Sequence, residues 1–463
     1  MPPSKPDSKF VSQETQGLQR APQARRIDVS LRSGIGKTLV LLAVVLPALL
    51  LGMKVTEIAQ AARFGNRLDV QDLHRAAALD PGNAEYYHQL GLIYAYSLNE
   101  GDPAKAIKHL REATELNPRN AFYWADLADV CDSNGDAACA NQAVSKAVSL
   151  SPMTPRFEWL AGNHYLQRGH PEQAMDHFRS LLALDDTYAQ PVFQVCLRAV
   201  GDPQTVFQKV LPANNDPVLQ LAYLDAVSNP SNIDFANQVW EQISSNGFSG
   251  SVADAKPYLE CLLNTGNVPQ AEKVWQDIIK AGVVRKPSIG DAENLVYNGG
   301  FEQTPLDAGF DWQDPNTPSV EADFRDPSAY RGSHCLRVDY AAGHNFESEP
   351  VSELVPVDPR QSYRLTAYAR SEGITSDSGP RLRVVDPECP DCLSVSTPPT
   401  LETTPWHLLT LDFTTGAKTR VVWLSVWRPR SRTFPMEIGG SFWLDNVILQ
   451  ASKAAPPEAV AGR

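Results

Sequence analysis

Four textures of apolar and polar positions succeed one another along the chain. From Thr38 to Met53 it reads TLVLLAVVLPALLLGM, sixteen uncharged residues bracketed by Lys37 and Lys54. No helix-period polar face interrupts this run, which argues for a lipid environment over a core helix. At ~1.5 Å per residue it spans roughly 24 Å, short of a ~30 Å hydrocarbon core, and the flanking lysines can snorkel across the difference. The pattern predicts a single transmembrane helix over 38–53, kinked at Pro47. A cleaved signal peptide is the alternative, with Ala59-Gln60-Ala61 as a small-x-small site. The long leader, Lys54 and Glu57 fit that alternative less well than a retained anchor.

Beyond the apolar run, helix-period segments recur with a spacing of 34 residues. One stretch carries Trp124, Leu127, Ala128, Gly135, Ala140, Ala147 and Pro152, and the next keeps register with Gly162, Tyr165, Gly169, Ala174 and Phe178. The preceding stretch, with Tyr87, Leu90, Gly91, Tyr94, Gly101, Ala106, Ala113 and Pro118, fits after an insertion around Leu98-Asn99-Glu100. A weaker copy appears as Gly266, Ala271, Trp275 and Ile278. In each copy a Gly is expected to end one helix, and an Ala five residues later lets the next helix pack closely. These positions resemble the tetratricopeptide repeat. Between Asp186 and Lys256 the motif decays, and helices such as Pro217–Val227 and Asp234–Ser244 are expected without it. The resemblance implies an α-helical tetratricopeptide solenoid over 54–285 that binds a protein partner in its groove, or else acts as a rigid spacer.

After Pro287 short alternating runs are separated by Gly, Pro, Asp and Ser clusters, the texture of an all-β sandwich. The region opens with Asn294-Leu-Val-Tyr-Asn-Gly-Gly-Phe-Glu302 and Gly309-Phe-Asp-Trp312, and closes with Gly440-Ser-Phe-Trp-Leu-Asp-Asn-Val-Ile-Leu449. Between them lie Tyr330–Val338, Ser362–Arg370 and Pro405-Trp406 before another strand. This order resembles the galactose-binding-like jelly roll of carbohydrate-binding modules, here over 290–451. The whole chain thus reads as multidomain: a single transmembrane helix, a helical solenoid and an all-β jelly-roll sandwich. The resemblance implies a structural calcium ion, with Glu302 and Asp445 at the ligand positions; a solvated pair at the sheet edge is the alternative.

Alternation separates the two faces of each strand. In Val421–Arg428, Val422, Leu424 and Val426 share one face, and Trp423, Ser425 and Trp427 the other. In Tyr363–Arg370, Leu365, Ala367 and Ala369 oppose Arg364, Tyr368 and Arg370. The second faces pair aromatic rings with guanidinium donors, which suits sugar rings, acidic ones in particular. Trp423, Trp427, Tyr368, Arg364 and Arg370 are therefore the candidate carbohydrate-binding residues, as one platform if their strands adjoin. Loops or the helical array could instead cover the tryptophans.

Charge and cysteine usage narrow the function further. The chain has a formal net charge of −13, yet residues 1–37 hold seven Lys/Arg against three Asp/Glu. The acidic body argues against nucleic acid as a partner. Arg20, Arg25, Arg26, Arg32 and Lys37 precede the apolar run, whereas only Lys54, Arg63 and Arg67 follow it closely. By the positive-inside rule the N-terminus is cytoplasmic, in a bacterial-type inner membrane, and the bulk lies outside. Residues 1–37 and 452–463 read as disordered tails. In an oxidising compartment Cys131/Cys139 and Cys389/Cys392 could each be bridged. Cys389-Pro-Asp-Cys392 lacks the strand-to-helix context of a redox motif, so a loop-closing disulfide is expected there. Gly36-Lys37-Thr38 mimics the end of a phosphate-binding loop without its first glycine or a preceding strand. With no nucleophile elbow, metalloprotease motif or clustered histidines, the chain reads as a binding protein, not an enzyme. An envelope adaptor joining a protein to a polysaccharide, in exopolysaccharide or surface-glycan assembly, is the leading reading. The rival is a protein scaffold with a structural or peptide-binding sandwich.

Overall fold

The computed structural model describes residues 34–212, 216–284, 294–315, 317–341 and 343–452. The expected basic tail, except its last residues, and the C-terminal tail beyond Ser452 lie outside these, as does the expected boundary at 285–290. The chain divides into two compact units that meet between Asp136 and Ala137.

The first unit holds α1 (Gly34–Gly65), α2 (Val70–Leu79), α3 (Ala84–Tyr96), α4 (Pro103–Leu116) and α5 (Ala121–Ser133). The apolar run 38–53 is helical, but the helix outruns its predicted bounds at both ends. Its apolar part is exposed, whereas Ala61 and Gly65 near its C-terminus are buried where it packs on α2 and Tyr86. The last turns of α1 therefore form a hairpin with α2, and the array begins inside the same helix. Gly36-Lys37-Thr38 sits within α1, a context that excludes a phosphate-binding turn.

The second unit begins with α6 (Ala137–Leu150), α7 (Pro155–Gln167), α8 (Pro171–Leu184), α9 (Ala189–Val200), α10 (Pro203–Val210), α11 (Pro217–Val227), α12 (Ile233–Ser245), α13 (Val252–Asn264) and α14 (Val268–Lys280). Polar caps start many of the helices. Asp102, Asp202 and Asp216 each accept backbone N–H bonds and are followed by Pro at the first helical position, where its missing donor costs nothing. Gly135, Gly169 and Gly266 all have φ between +72° and +75°. Each donates to the carbonyl three residues back, and the residue after each donates to the carbonyl five back, which closes the preceding helix. Ala140, Ala174 and Ala271, five residues on, are fully buried. The first copy departs from this rule. There α3 ends at Tyr96, Gly101 lies in the following loop without a positive φ, and Asp102 N–H returns to the Tyr94 carbonyl. The three inserted residues, Leu98-Asn99-Glu100, remove the need for a glycine stop.

Among the described residues, nine antiparallel strands complete the second unit: β1 (Val320–Asp326), β2 (Cys335–Tyr340), β3 (Ser348–Pro356), β4 (Ser362–Ile374), β5 (Arg381–Val385), β6 (Ser394–Ser396), β7 (Glu402–Thr414), β8 (Val421–Arg428) and β9 (Gly440–Ala451). One sheet has the order β1-β2-β9-β4-β7 and the other β3-β8-β5-β6. Their inner faces share one core in which Leu365, Ala367 and Ala369 meet Val422, Leu424 and Val426, around Trp312 and Phe442. Pro405 and Trp406 fall inside β7, not ahead of it. A disulfide joins Cys389 and Cys392 in the loop between β5 and β6.

The segment that opens the sandwich also covers the last helical hairpin. Trp275 of α14 meets Tyr297 and Phe310 edge-on, at 5.4 and 6.1 Å between ring centroids. Gly309, at φ +59°, lies so close to Trp275 that a Cβ there would collide with its ring. Lys256 of α13 pairs with Asp307 at 3.0 Å. A helical array needs its final apolar stripe covered, and here the sandwich covers it.

Candidate functional site

The five residues predicted to bind carbohydrate fall into two groups. Trp423 and Trp427 project from β8, in the four-stranded sheet, whereas Arg364, Tyr368 and Arg370 project from β4, in the five-stranded one. Since the sheets pack face to face, their outer surfaces point in opposite directions. The single platform is therefore corrected to two faces. Each strand's alternation is as read from the sequence, but strands β4 and β8 do not adjoin.

On the four-stranded face, the Trp427 indole N–H donates to Glu347 Oε1 at 2.9 Å, and the guanidinium of Arg383 lies 4.6 Å from a ring centroid of Trp427. Arg381 approaches the same side chain at 5.7 Å. Trp423 is 36% exposed, and its register partners are Leu354 and Val385. Leu354 packs against the core of the helical array. This face is thus partly occupied: cation–π contacts cover Trp427, and the array approaches the neighbour of Trp423.

The five-stranded face carries a more open aromatic group. Tyr330, from the loop between β1 and β2, stacks on Tyr368 with 3.6 Å between centroids, and Trp406 of β7 lies 5.9 Å from Tyr330. Tyr330 is 44% exposed, and Leu408 beside it, across from Tyr368 in the register, is exposed too. One strand away, Arg370 and Arg337 lie 4.5 and 5.3 Å from Trp443, burying its ring. Arg370 also pairs with Glu372 at 3.1 Å. Arg364 is committed elsewhere: its Nε and Nη2 donate to the two carboxylate oxygens of Asp412, at 2.7 and 3.0 Å. Tyr330, Trp406, Trp443 and Arg337 mark the sandwich motifs in the sequence but are not among the residues expected to bind carbohydrate. Trp406 and Trp443 occupy outward positions on strands whose neighbours are distant in sequence, and Tyr330 reaches the face from a loop.

That loop is held by the two carboxylates predicted to bind calcium. Asp445 accepts the Arg331 N–H at 2.8 Å, and Glu302 accepts those of Ser333 and His334 at 2.7 and 3.2 Å. Gly332 lies between them at φ +88°, and any Cβ there would run into the Glu302 carboxylate. Burial, and to a lesser degree the Glu302 charge, raises the Asp445 carboxyl to about 6, against the backbone N–H bonds it accepts. Both carboxylates, from segments far apart in sequence, are thus engaged by backbone N–H groups of one tight loop.

In the first unit, α3 and α5 are bridged by polar pairs. His88 meets Asp126 at 2.7 Å, and Tyr123 donates to Glu85 at 2.8 Å. Burial and the Glu85 bond push the Tyr123 hydroxyl up to about 12.

Residues 84–120 match the tetratricopeptide repeat family. Among curated proteins, the chain is 27% identical over 182 residues to cellulose synthase operon protein C of Pseudomonas fluorescens (strain SBW25), covering 39% of this chain and 14% of that protein. It is 29% identical over 100 residues to human general transcription factor 3C polypeptide 3, covering 22% of this chain and 11% of that one. It is 31% identical over 118 residues to the BBSome complex member BBS4 of Bos taurus, covering 26% and 22%. The chain therefore spans under a quarter of each of these relatives, whose names share no common activity. Among solved structures, it resembles a crystal structure of MamA protein at 15% identity and a TM-score of 0.30, over 43% of this chain and 97% of that one. A family 16 carbohydrate-binding module gives 21% identity and a TM-score of 0.24, over 34% and 99%. A CBM4 structure gives 12% and 0.25, over 34% and 99%.

Proposed function

We propose that this chain is a membrane-anchored adaptor of the cell envelope whose helical array holds a protein partner and whose sandwich binds a polysaccharide. It binds and does not catalyse. The sandwich is a jelly roll on this reading: β2-β9-β4-β7 against β3-β8-β5-β6 is the strand order of two interleaved Greek keys. The observation that carries the reading is the stack of Tyr330 on Tyr368 beside Trp406, open to solvent on the five-stranded face. Exposed rings flanked by guanidinium groups suit a chain of sugars, and leaving them bare has no structural gain. Calcium, held by Glu302 and Asp445, would fix the loop that presents Tyr330. The likeness to cellulose synthase operon protein C agrees with a role in exopolysaccharide or surface-glycan assembly.

Titration of the full chain in detergent, with calcium present, against a panel of soluble neutral and acidic polysaccharides tests this. Tyr330→Ala and Trp406→Ala should each weaken binding about tenfold, ~1.4 kcal/mol, while Trp423→Ala on the other face leaves it unchanged. Absence of binding to every polysaccharide overturns the proposal. It would favour a protein scaffold in which the sandwich caps the array, a reading supported by the Trp275 contacts and by the covered state of Trp427.

A further inference from the structure

At the end of the sandwich remote from the array, one loop is built as a rigid apolar tip beside two arginines. β8 begins beside Arg420, whose charge acts on Glu272 of α14, and ends at Arg428, so residues 429–437 emerge at the far end. Arg428 is fully buried. Its guanidinium donates to the carbonyls of Ser378 (3.1 Å), Met436 (2.9 Å) and Phe346, and to Ser376 Oγ at 3.3 Å. Ser431 exchanges two hydrogen bonds with Asn345, at 2.8 and 2.9 Å, and the hydroxyls of Ser431 and Thr433 both donate to Asp377. Two neighbouring strand connections, β2–β3 and β4–β5, are thereby tied to this one. Yet its tip carries Phe434, 91% exposed, followed by Pro435 and the exposed Met436.

A lone exposed apolar side chain is ordinary. This one differs in being held out: the network prevents Phe434 from folding back to cover its ring. Arg430 and Arg432 immediately precede the tip, are exposed, and make no ion pair among the described residues, while the exposed Glu437 follows it. An aromatic tip that can enter an acyl boundary, with two guanidinium groups beside it at headgroup depth, is complementary to an anionic lipid surface. The same chain carries an exposed apolar helix long enough to cross a bilayer, which brings the protein to lipid. A sugar or peptide site would instead aim hydrogen-bonding groups at its ligand, whereas the hydroxyls of this loop are spent on Asp377. We propose that residues 430–436 form a lipid-contact site that inserts Phe434 and Met436 into an anionic bilayer surface, with Arg430 and Arg432 on the headgroups. This does not depend on the sandwich binding sugar.

The test places the photoreactive benzoylphenylalanine at position 434 in the full chain, reconstituted with vesicles of phosphatidylcholine alone or with phosphatidylglycerol added. Lipid adducts are then measured by mass spectrometry, and position 321, exposed on β1, serves as control. The proposal expects lipid adducts at 434 that rise about tenfold or more with phosphatidylglycerol, and that fall to the phosphatidylcholine level when Arg430→Gln and Arg432→Gln are combined. These arginines lie outside the buried network, so the melting temperature should not move. Absence of lipid adducts at 434, adducts equally abundant at 321, indifference to both phosphatidylglycerol and the arginines, or adducts to protein alone would each overturn it.

Discussion

Individual residues make two features of the sandwich sensitive to small changes. Gly332→Ala forces a methyl group toward the Glu302 carboxylate from a backbone at φ +88°, so the loop must shift. A cost of about 2 kcal/mol is expected, and because Tyr330 belongs to that loop, polysaccharide affinity should fall along with the melting temperature. Retained affinity at a lowered melting temperature would separate the loop from the site. Asp311 is the second case. It is buried, and burial raises its carboxyl to about 6 although the backbone N–H groups of Leu306 and Trp312 pull it down. The folded chain thus keeps a proton that the unfolded chain releases above pH 4. Its contribution to stability is full below about pH 4 and is lost as the pH rises through 6, by at most about 3 kcal/mol. Carbon-detected titration of the Asp311 carboxyl should show a midpoint near 6, and a midpoint near that of free aspartate would exclude this account. Neither residue could be found from the sequence. Gly332 answers to a carboxylate thirty positions away, and Asp311 looked like one acid among many until folding buried it. The inward residues of β4 and β8 were legible, by contrast, because alternation is a local property of a strand.

Elements show where local pattern ends and pairing begins. The glycine stops at 135, 169 and 266 and the alanines that follow them could be read directly, because each helical hairpin closes on neighbours less than 40 residues away. The strands could not be placed, since β4 pairs with β7 and β9, and β8 with β3 and β5, across intervals the sequence does not mark. That is why the five candidate residues divided between two faces. The junction of α14 and the opening segment was equally hidden: Trp275 looks like a repeat position, yet it serves as the seat for Tyr297 and Phe310. Trp275→Ala should cost about 3–5 kcal/mol and uncouple the two. Calorimetry is then expected to resolve the sandwich from the helices as separate transitions where the native chain shows one shared transition for them. Gly309→Ala should reproduce the effect more weakly, since it displaces the same ring. A single transition in both variants would mean that the Lys256–Asp307 pair and the surrounding contacts suffice.

At the scale of the molecule, the continuity of α1 determines how the apolar run relates to the first unit. A helix of 32 residues is about 48 Å long, enough to contain both a membrane-crossing stretch and the turns that pack on α2. No linker separates them, so a bilayer around residues 38–53 would hold the first hairpin at a fixed angle. Ala61 is fully buried in that packing, and a cut there would strip the cover from α2. The two roles of the helix can be separated experimentally. Leu49 and Leu50 are exposed and make no core contact, so Leu49→Arg with Leu50→Arg should leave the array and sandwich melting unchanged. In a bilayer each arginine costs about 2.5–3.5 kcal/mol near the centre of a span, enough together to prevent insertion. Wild-type chain should therefore remain with the membrane pellet after alkaline carbonate extraction, while the double variant moves to the supernatant still folded by circular dichroism. A variant that unfolds instead would show that the run is covered by protein, and one that stays in the pellet would show that something other than this helix holds the chain there.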